Sequence, residues 1–215
     1  MARTTAPLLS WSASGQIAQT QVYSRWKGRG YVRRYVIPAN PNTADQQETR
    51  NTFKWLNNFA RYLPAGSIDA WTLYAANAQI TERNAIIKQN LSNLRSQADL
   101  NNLIMSPSAG GGLVAAAIAL TPGSGQISVA LTAPTLPTGW TIVEAWAMAI
   151  RDQDPQTGLL YTTTADSVAA PGPYTIVLTG LTASQLYQVG GWFVFQKPDL
   201  TFAYGVAILD QDTPT

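Results

Sequence analysis

The chain has 215 residues, of which 46% are hydrophobic and 12% are charged, and its formal net charge is +2. The charged share is about half the usual value for globular proteins, so the surface is poor in the charges that keep monomers apart. The sequence contains neither cysteine nor histidine, which excludes disulfides, thiolate sites and the side chain that most often serves as catalytic base or transition-metal ligand. We therefore expect a subunit that packs against other subunits, with no enzymatic activity and no cofactor or metal.

Charge is distributed unevenly along the chain. Residues 1–108 contain 12 Lys/Arg and 5 Asp/Glu, whereas residues 109–215 contain 2 and 7. Residues 1–36 alone carry six cationic side chains and no acid. The two halves are therefore expected to face different neighbours, and the N-terminal one is expected to face an acidic surface.

Residues 1–42 are predicted to form a basic arm built on a β-hairpin. Two β-rich stretches, 16–26 and 31–37, flank a Lys-Gly-Arg-Gly turn at 27–30. Because a lone hairpin is only marginally stable in water, this one should lie on another surface. The residues predicted to anchor it are cationic or aromatic: Arg25, Trp26, Lys27, Arg29, Arg33, Arg34 and Tyr35.

The same side chains could instead hold a nucleic acid, by gripping phosphates and stacking on bases. We favour docking on an acidic protein surface, because the number of cations is modest and the sequence contains no known nucleic-acid-binding motif. The Gly-rich turn also lacks the Gly-x-x-x-x-Gly-Lys-Ser/Thr pattern of a phosphate-binding loop.

A proline-rich joint follows the arm. Its two prolines fix their own backbone angle and bias the residues before them towards extended conformations. A Thr-x-x-Gln pair just after them has the spacing of a capping box, which predicts the start of a helix. The joint is interpreted as an assembly hinge and not as an active site, and its residues are Pro38, Asn40, Pro41, Thr43, Gln46 and Arg50.

Residues 43–105 are predicted to form a module of short helices. Apolar residues recur at helical spacing from Phe53 to Leu63, and Pro64 should end that helix. Ser67 is expected to cap the next helix, and a further one should follow a break at 81–84. The aromatic side chains of this segment are interpreted as packing between helices and not as a ligand site.

Three motifs of this region carry a resemblance to a known family. They are Pro-x-Asn-Pro-x-Thr-x-x-Gln-x-x-x-Arg-x-x-Phe at 38–53, Ile-Asp-Ala-Trp at 68–71 and Asn-Ala-Ile-Ile-Lys-Gln-Asn at 84–90. The order resembles that of a family of small, virion-associated proteins of tailed bacteriophages and prophages, over residues 15–105. The sequence departs from that family at Ile86, where an aromatic residue is commoner, and at its Leu-Pro step before the second helix.

This resemblance implies a virion location and a class of object, and it implies no mechanism. The expected partners are other virion proteins that offer an acidic capsid, portal, neck or tail surface. Because positions in a virion obey symmetry, we expect a homo-oligomer or several copies per particle. No membrane partner is expected, since the longest apolar run, 113–120, is too short to span a bilayer.

The C-terminal half is predicted to be all-β. A flexible, exposed Gly/Ser linker is expected at 106–112, and residues 113–215 then show seven strand-sized apolar runs between turns. Seven strands in about 100 residues is the number found in an immunoglobulin-like sandwich. The fold class is therefore α+β in several parts: a basic hairpin arm, a short helical module and an immunoglobulin or fibronectin III-like sandwich.

Three residues are assigned to the core of that sandwich. Leu181 precedes Tyr187 by six residues, which resembles the fibronectin type III pattern and makes Tyr187 the expected corner tyrosine. Trp146 and Trp192 are expected to lie between the two sheets.

Two possible sites in the sandwich are weighed against simpler explanations. Trp140, Tyr161 and Tyr204 could form a platform for host-surface glycans, although core or rim packing explains them more simply. Asp152 and Asp154 could form a calcium or paired-carboxylate site, although no third acidic ligand follows at the required spacing and a solvated turn accounts for them.

The function expected from the sequence is that of a structural, non-enzymatic phage virion protein: a capsid decoration, neck, collar or tail-associated subunit. Its basic arm and helices would anchor it, and the sandwich would project or pack into a ring. The alternatives are a host glycan or receptor-binding module and a genome-associated basic protein.

Overall fold

The structure is a computed structural model that describes residues 3–4, 13–26, 29–37, 39, 42–76, 78–95, 97–161 and 163–215. The chain divides into two compact units, Met1–Asn42 and Thr43–Thr215. The first unit contains strands β1 (Arg3–Thr4), β2 (Ala13–Ile17), β3 (Gln21–Trp26) and β4 (Arg29–Arg34). They form one antiparallel sheet in the order β1-β2-β3-β4, which we call the basic sheet.

Strands β3 and β4 pair from Gln21 with Arg34 to Trp26 with Arg29. Beyond this ladder the Tyr35 N–H donates to the Thr20 carbonyl oxygen at 2.8 Å. The hairpin is therefore part of a four-stranded sheet, which gives it partners on one side that a lone hairpin lacks.

The second unit begins with helices α1 (Ala44–Tyr62), α2 (Ala65–Ala76) and α3 (Glu82–Leu94). Thr43 occupies the N-cap position of α1, but its side chain accepts no capping hydrogen bond, so the predicted capping box with Gln46 is wrong. The helix start is exposed, and water can satisfy its first N–H groups.

The predicted start of the second helix is also wrong. Helix α2 begins at Ala65, and Ser67 lies buried inside it, where its hydroxyl donates to the Met105 carbonyl oxygen. The Trp71 indole N–H donates to the same oxygen at 3.2 Å. Ser67 therefore ties the helix to a later segment of the chain instead of capping it.

Helix α3 has the side-chain cap that α1 lacks. The Thr81 hydroxyl oxygen accepts from the Asn84 N–H at 3.3 Å. Further along, the buried Asn90 side chain accepts from the Ile104 N–H at 2.7 Å and donates to the Ile104 carbonyl oxygen at 3.2 Å. This pair holds the irregular segment after α3 against the helix.

Two antiparallel sheets complete the second unit. One has three strands in the order β5-β6-β9, and the other has the order β11-β10-β7-β8, with β12 also paired to β10. A 3₁₀ helix at Pro155–Thr157 lies between β7 and β8. The strands are β5 (Ala117–Gly123), β6 (Gln126–Thr132), β7 (Thr141–Arg151), β8 (Thr163–Ala169), β9 (Thr175–Thr179), β10 (Tyr187–Gln196), β11 (Phe202–Tyr204) and β12 (Ile208–Asp212).

The five-stranded sheet is covered on both faces. On one face Ala145, Ala147 and Phe193 pack against the three-stranded sheet. On the other face Met148 and Ile150 pack against the three helices. The unit therefore has three layers, and the helices share a core with the sandwich instead of forming the separate module predicted for 43–105.

The assignment of Trp146 and Trp192 to the space between the sheets is wrong. Trp192 is fully buried in the cluster that the helices form with the sheet, and Trp146 packs against that same cluster. They are direct cross-strand partners. Because side chains alternate along a strand, a strand with two covered faces offers two cores, and these tryptophans face the helical one.

The predicted linker at 106–112 is a strap across the edge of the sheet. Ala109 and Tyr204 exchange backbone hydrogen bonds of 3.0 and 2.9 Å, and the buried Ser106 hydroxyl donates to the Gly205 carbonyl oxygen at 3.0 Å. A Cβ on Gly112 would collide with the Tyr204 carbonyl group. The segment is rich in glycine because its backbone lies directly against β11, and it covers an edge that would otherwise be open to pairing.

Candidate assembly surfaces

The basic sheet has no buried side chain among those that the structure describes in residues 15–37. A sheet normally buries one face, and this one leaves apolar groups on both faces in contact with solvent. The described side chains of the first unit therefore contribute little hydrophobic core.

Alternation along the strands divides these side chains between two faces. The pairing register places Ile17, Tyr23, Val32 and Arg34 on one face, which we call the Val32 face. Tyr31 and Arg33 point to the opposite face, called the Tyr31 face. Each face thus carries exposed apolar surface beside an exposed arginine of β4, Arg34 on the Val32 face and Arg33 on the Tyr31 face.

The structure describes six of the seven predicted anchoring residues, and they lie in or next to strands β3 and β4. Arg33 and Arg34 are exposed, and Tyr35 is half-buried. Arg25 and Trp26 lie in β3 and Arg29 lies in β4, and for these three residues the structure describes the backbone only. Lys27 lies outside the described residues, as do Pro38, Asn40 and Pro41 of the predicted hinge.

The C-terminal part of the predicted hinge is the first part of α1. Thr43, Gln46 and Arg50 are exposed there, and Asp45 in the first turn complements the helix dipole. The Gln47 N–H donates to the Thr43 carbonyl oxygen at 3.0 Å, which is the first helical hydrogen bond. These residues therefore lie at the boundary of the second unit, next to Asn42, where the first unit ends.

A groove of about 600 Å³ lies between α2 and the edge of the five-stranded sheet at β11. We call it the α2–β11 groove. Its lining combines one carboxylate with aromatic and aliphatic groups: Asp69, Thr72, Leu73 and Ala76 on the helix, and Thr201, Phe202 and Tyr204 on the sheet side.

The groove carries negative charge. The pKa of Tyr204 is raised above its usual value, mainly because burial disfavours the phenolate and further because Asp69 and Glu144 are negatively charged nearby. No hydrogen bond or ion pair of the Asp69 carboxylate is found among the described residues. Asp69 and Phe202 could not be found from the sequence, because nothing in it shows that α2 and β11, far apart along the chain, lie side by side.

Tyr187 occupies the position of a tyrosine corner. Its ring is fully buried between the two sheets, and its hydroxyl accepts from the Thr182 N–H at 2.9 Å. This hydrogen bond fixes the connection from β9 to β10.

The three aromatic residues considered for a glycan platform do not share one surface. Trp140 is half-buried beside Phe195, and the Lys197 ammonium lies 5.4 Å from its ring centroid. Tyr161 is exposed near the other end of β7, where the Arg151 guanidinium lies 4.6 Å from its ring. Tyr204 belongs to the α2–β11 groove.

The two aspartates after β7 have structural partners. Asp154 accepts from the Gln156 N–H at 2.7 Å and caps the 3₁₀ helix, whereas Asp152 accepts from the Leu100 N–H at 3.1 Å. Across the described part of the chain, no group of three or more acidic side chains is placed to hold a metal ion. None of the described helices is long and apolar enough to cross a membrane.

No protein-family model matches the chain, and no curated protein matches it. Among solved structures, one described as "Myokine structure" is 10% identical, with a TM-score of 0.35, and the match covers 48% of this chain and 99% of that one. The FN5 domain of Drosophila Lar is 18% identical, with a TM-score of 0.34, and the match covers 48% of this chain and 98% of that one.

Proposed function

We propose that the chain is a structural, non-enzymatic subunit of a tailed-bacteriophage virion, anchored to an acidic neighbour through its basic sheet. The observation that carries this proposal is that no described side chain of the sheet is buried. Exposed Tyr31 and Val32 are followed by exposed Arg33 and Arg34 on one strand. Such a surface suits a contact that buries apolar groups and pairs cations with carboxylates.

The rest of the chain supplies a rigid body for that anchor. Its two sheets, with β6 and β10 at their centres, have a strand arrangement similar to that of a fibronectin type III domain, and the Tyr187 corner supports the same assignment. The resemblance of residues 15–105 to virion-associated phage proteins supports the location. Copies arranged symmetrically in the particle would use the second unit as a projecting or ring-forming element.

Deletion of residues 1–36 tests the anchor in particles assembled with the altered gene. We expect the shortened protein to be made and folded but absent from purified particles. A finer variant, Arg33→Glu with Arg34→Glu, should reduce incorporation strongly. Lys88→Glu with Arg95→Glu changes two exposed cations outside the sheet by the same total charge and should leave incorporation normal. Normal incorporation of the deletion would disprove the anchoring role.

A genome-associated role is the second candidate, because the Tyr31 face carries an exposed aromatic ring and a cation of the kind that single-stranded nucleic acids contact. It predicts binding to a single-stranded oligonucleotide that weakens steeply as salt rises. A flat salt dependence, or no binding at low salt, would exclude it.

A further inference from the structure

We propose that the acidic neighbour of the basic sheet is a second copy of this chain: Arg34 and the Val32 face of one copy enter the α2–β11 groove of another. This inference rests on the proposed function, because it names the partner of the same sheet. It also assigns a role to a groove that the proposed function leaves unused.

The floor of the groove is suited to a guanidinium group. Asp69 supplies a carboxylate, which can accept two parallel N–H groups from an arginine. Phe202 and Tyr204 supply aromatic rings, whose faces attract a cation. The negative charge of Asp69 and Glu144, felt at Tyr204, adds to this attraction.

The rim of the groove is apolar. Phe202 is 45% exposed, and Ile68 and Leu200, next in sequence to lining residues, are 38% and 73% exposed. The groove thus has an exposed aromatic side chain in its lining, and exposed apolar residues adjoin the lining in sequence; apolar surface of this kind marks interaction sites. The partner should therefore present one cation between apolar groups.

The Val32 face has this composition. Gln21 pairs with Ile17 on one side and with Arg34 on the other, so one row across three strands carries an apolar group and a cation. The neighbouring row places Val32 beside Tyr23. Val32 is 54% and Ile17 42% exposed, and Arg34 is exposed as well.

The charges of the two units are complementary. Residues 1–42 carry six cations and no acid, whereas residues 43–215 carry 12 acidic and 8 basic side chains, a net charge of −4. A contact between the sheet of one copy and the groove of the next joins two different surfaces. It is therefore heterologous, and it builds rings or open chains of copies, of which a reciprocal pair is the smallest ring.

Sedimentation velocity of the full chain over a range of concentrations tests the contact. We expect the unaltered protein to self-associate, and we expect Arg34→Glu and Asp69→Lys each to weaken association by about tenfold or more. Two variants are matched controls with the same change in charge. Lys88→Glu reverses an exposed cation on α3, outside the basic sheet, and Asp166→Lys replaces an exposed acid on β8, at the other edge of the five-stranded sheet. Both should associate like the unaltered protein.

Mixing the two defective variants is the sharper test. The Arg34→Glu copy keeps an intact groove, and the Asp69→Lys copy keeps an intact sheet. A mixture should therefore associate through the intact sheet of one variant and the intact groove of the other, although each variant alone stays monomeric. Circular dichroism verifies that each variant is folded, and Asp69→Asn replaces Asp69→Lys if the lysine disturbs the helix.

Three results would overturn the inference: a monomeric unaltered protein at every concentration, an equal loss of association in Lys88→Glu and Arg34→Glu, or a mixture that stays monomeric. The proposed function is judged separately by incorporation into particles. A chain that is monomeric in solution and yet needs residues 1–36 to enter particles would have an anchor whose partner is a different protein.

Discussion

Tyr187 fixes the connection between two sheets with a single hydroxyl group. Its ring lies in the core between the sheets, and its oxygen accepts from the Thr182 N–H at 2.9 Å. Tyr187→Phe removes the acceptor and leaves that N–H without its partner, which should lower the free energy of unfolding by about 1–3 kcal/mol. The midpoint of urea unfolding should fall with an unchanged slope. Tyr161→Phe, at an exposed site, is the control and should cost less than about 0.5 kcal/mol.

Asp152 makes stability depend on pH in a direction unusual for an acid. Burial raises the pKa of Asp152 above its ordinary 3.8, and the negative charge of Asp99 adds to this, whereas the Leu100 N–H opposes it. The folded protein therefore binds more protons than the unfolded chain between the two pKa values. The free energy of unfolding must then fall as pH rises through that window and level off above it.

Asp152→Asn tests this dependence, because the amide oxygen can still accept from the Leu100 N–H while no charge forms. The stability of the unaltered protein relative to the variant should be highest below the pKa of the unfolded chain and should fall as pH rises through the raised pKa of the folded state. Urea unfolding at several pH values measures the difference. Asp166→Asn, at an exposed position, controls for the loss of one charge. A difference that grows with pH in favour of the unaltered protein would contradict the raised pKa.

Some residue assignments follow from sequence and others do not. Tyr187 could be found because a Leu six positions earlier marks the corner, which is a local signal. Trp146 and Trp192 could be placed in a core but not in the correct one. Alternation says which side chains share a face, but it does not say which layer of the molecule covers that face.

At the scale of elements, the sequence of β10 reflects a strand that is buried on both faces. Nine of its ten residues, from Tyr187 to Phe195, are buried. A strand with one face in water alternates apolar and polar residues, whereas a strand buried on both faces reads as a continuous apolar run. The sequence of β10 therefore indicates that a further layer covers the sandwich. The helices preceding it supply that layer.

The close packing of the strap at 106–112 against β11 can be tested at Gly112. A Cβ on Gly112 would lie 2.7 Å from the Gly205 nitrogen and collide with the Tyr204 carbonyl group. Gly112→Ala should therefore lower the free energy of unfolding by about 2 kcal/mol or more, because backbone must move to make room. A flexible linker would tolerate the change with almost no loss.

Gly111→Ala provides the matched control. Gly111 has open space around it and a φ of +80°, so alanine there meets backbone strain alone, at about 1 kcal/mol. Chemical denaturation of the two variants side by side separates the effects. Equal costs at the two positions would show that the strap does not press on β11.

At the scale of the whole molecule, the sequence suggested more domain boundaries than the structure has. The glycine-rich segment and the change from helical to strand-like periodicity both indicated a boundary near residue 106. The compact unit instead runs from Thr43 to Thr215, because the face of the sheet around Met148 and Trp192 is apolar and needs the helices over it. Glycine-rich segments mark places where the backbone turns or lies close to another segment. They do not by themselves mark where a hydrophobic core ends.

The shared core predicts how the second unit unfolds. Because the five-stranded sheet belongs to both cores, residues 43–215 should fold without the first unit and unfold in one transition, with coincident curves from far-UV circular dichroism and tryptophan fluorescence. Residues 113–215 alone would expose the face that carries Met148, Ile150 and Trp192. We expect that shorter chain to aggregate or to lose cooperative unfolding, and the longer one to keep the midpoint of the full protein. A cooperative transition of 113–215 at that same midpoint would show instead that the helices are a dispensable addition to the sandwich.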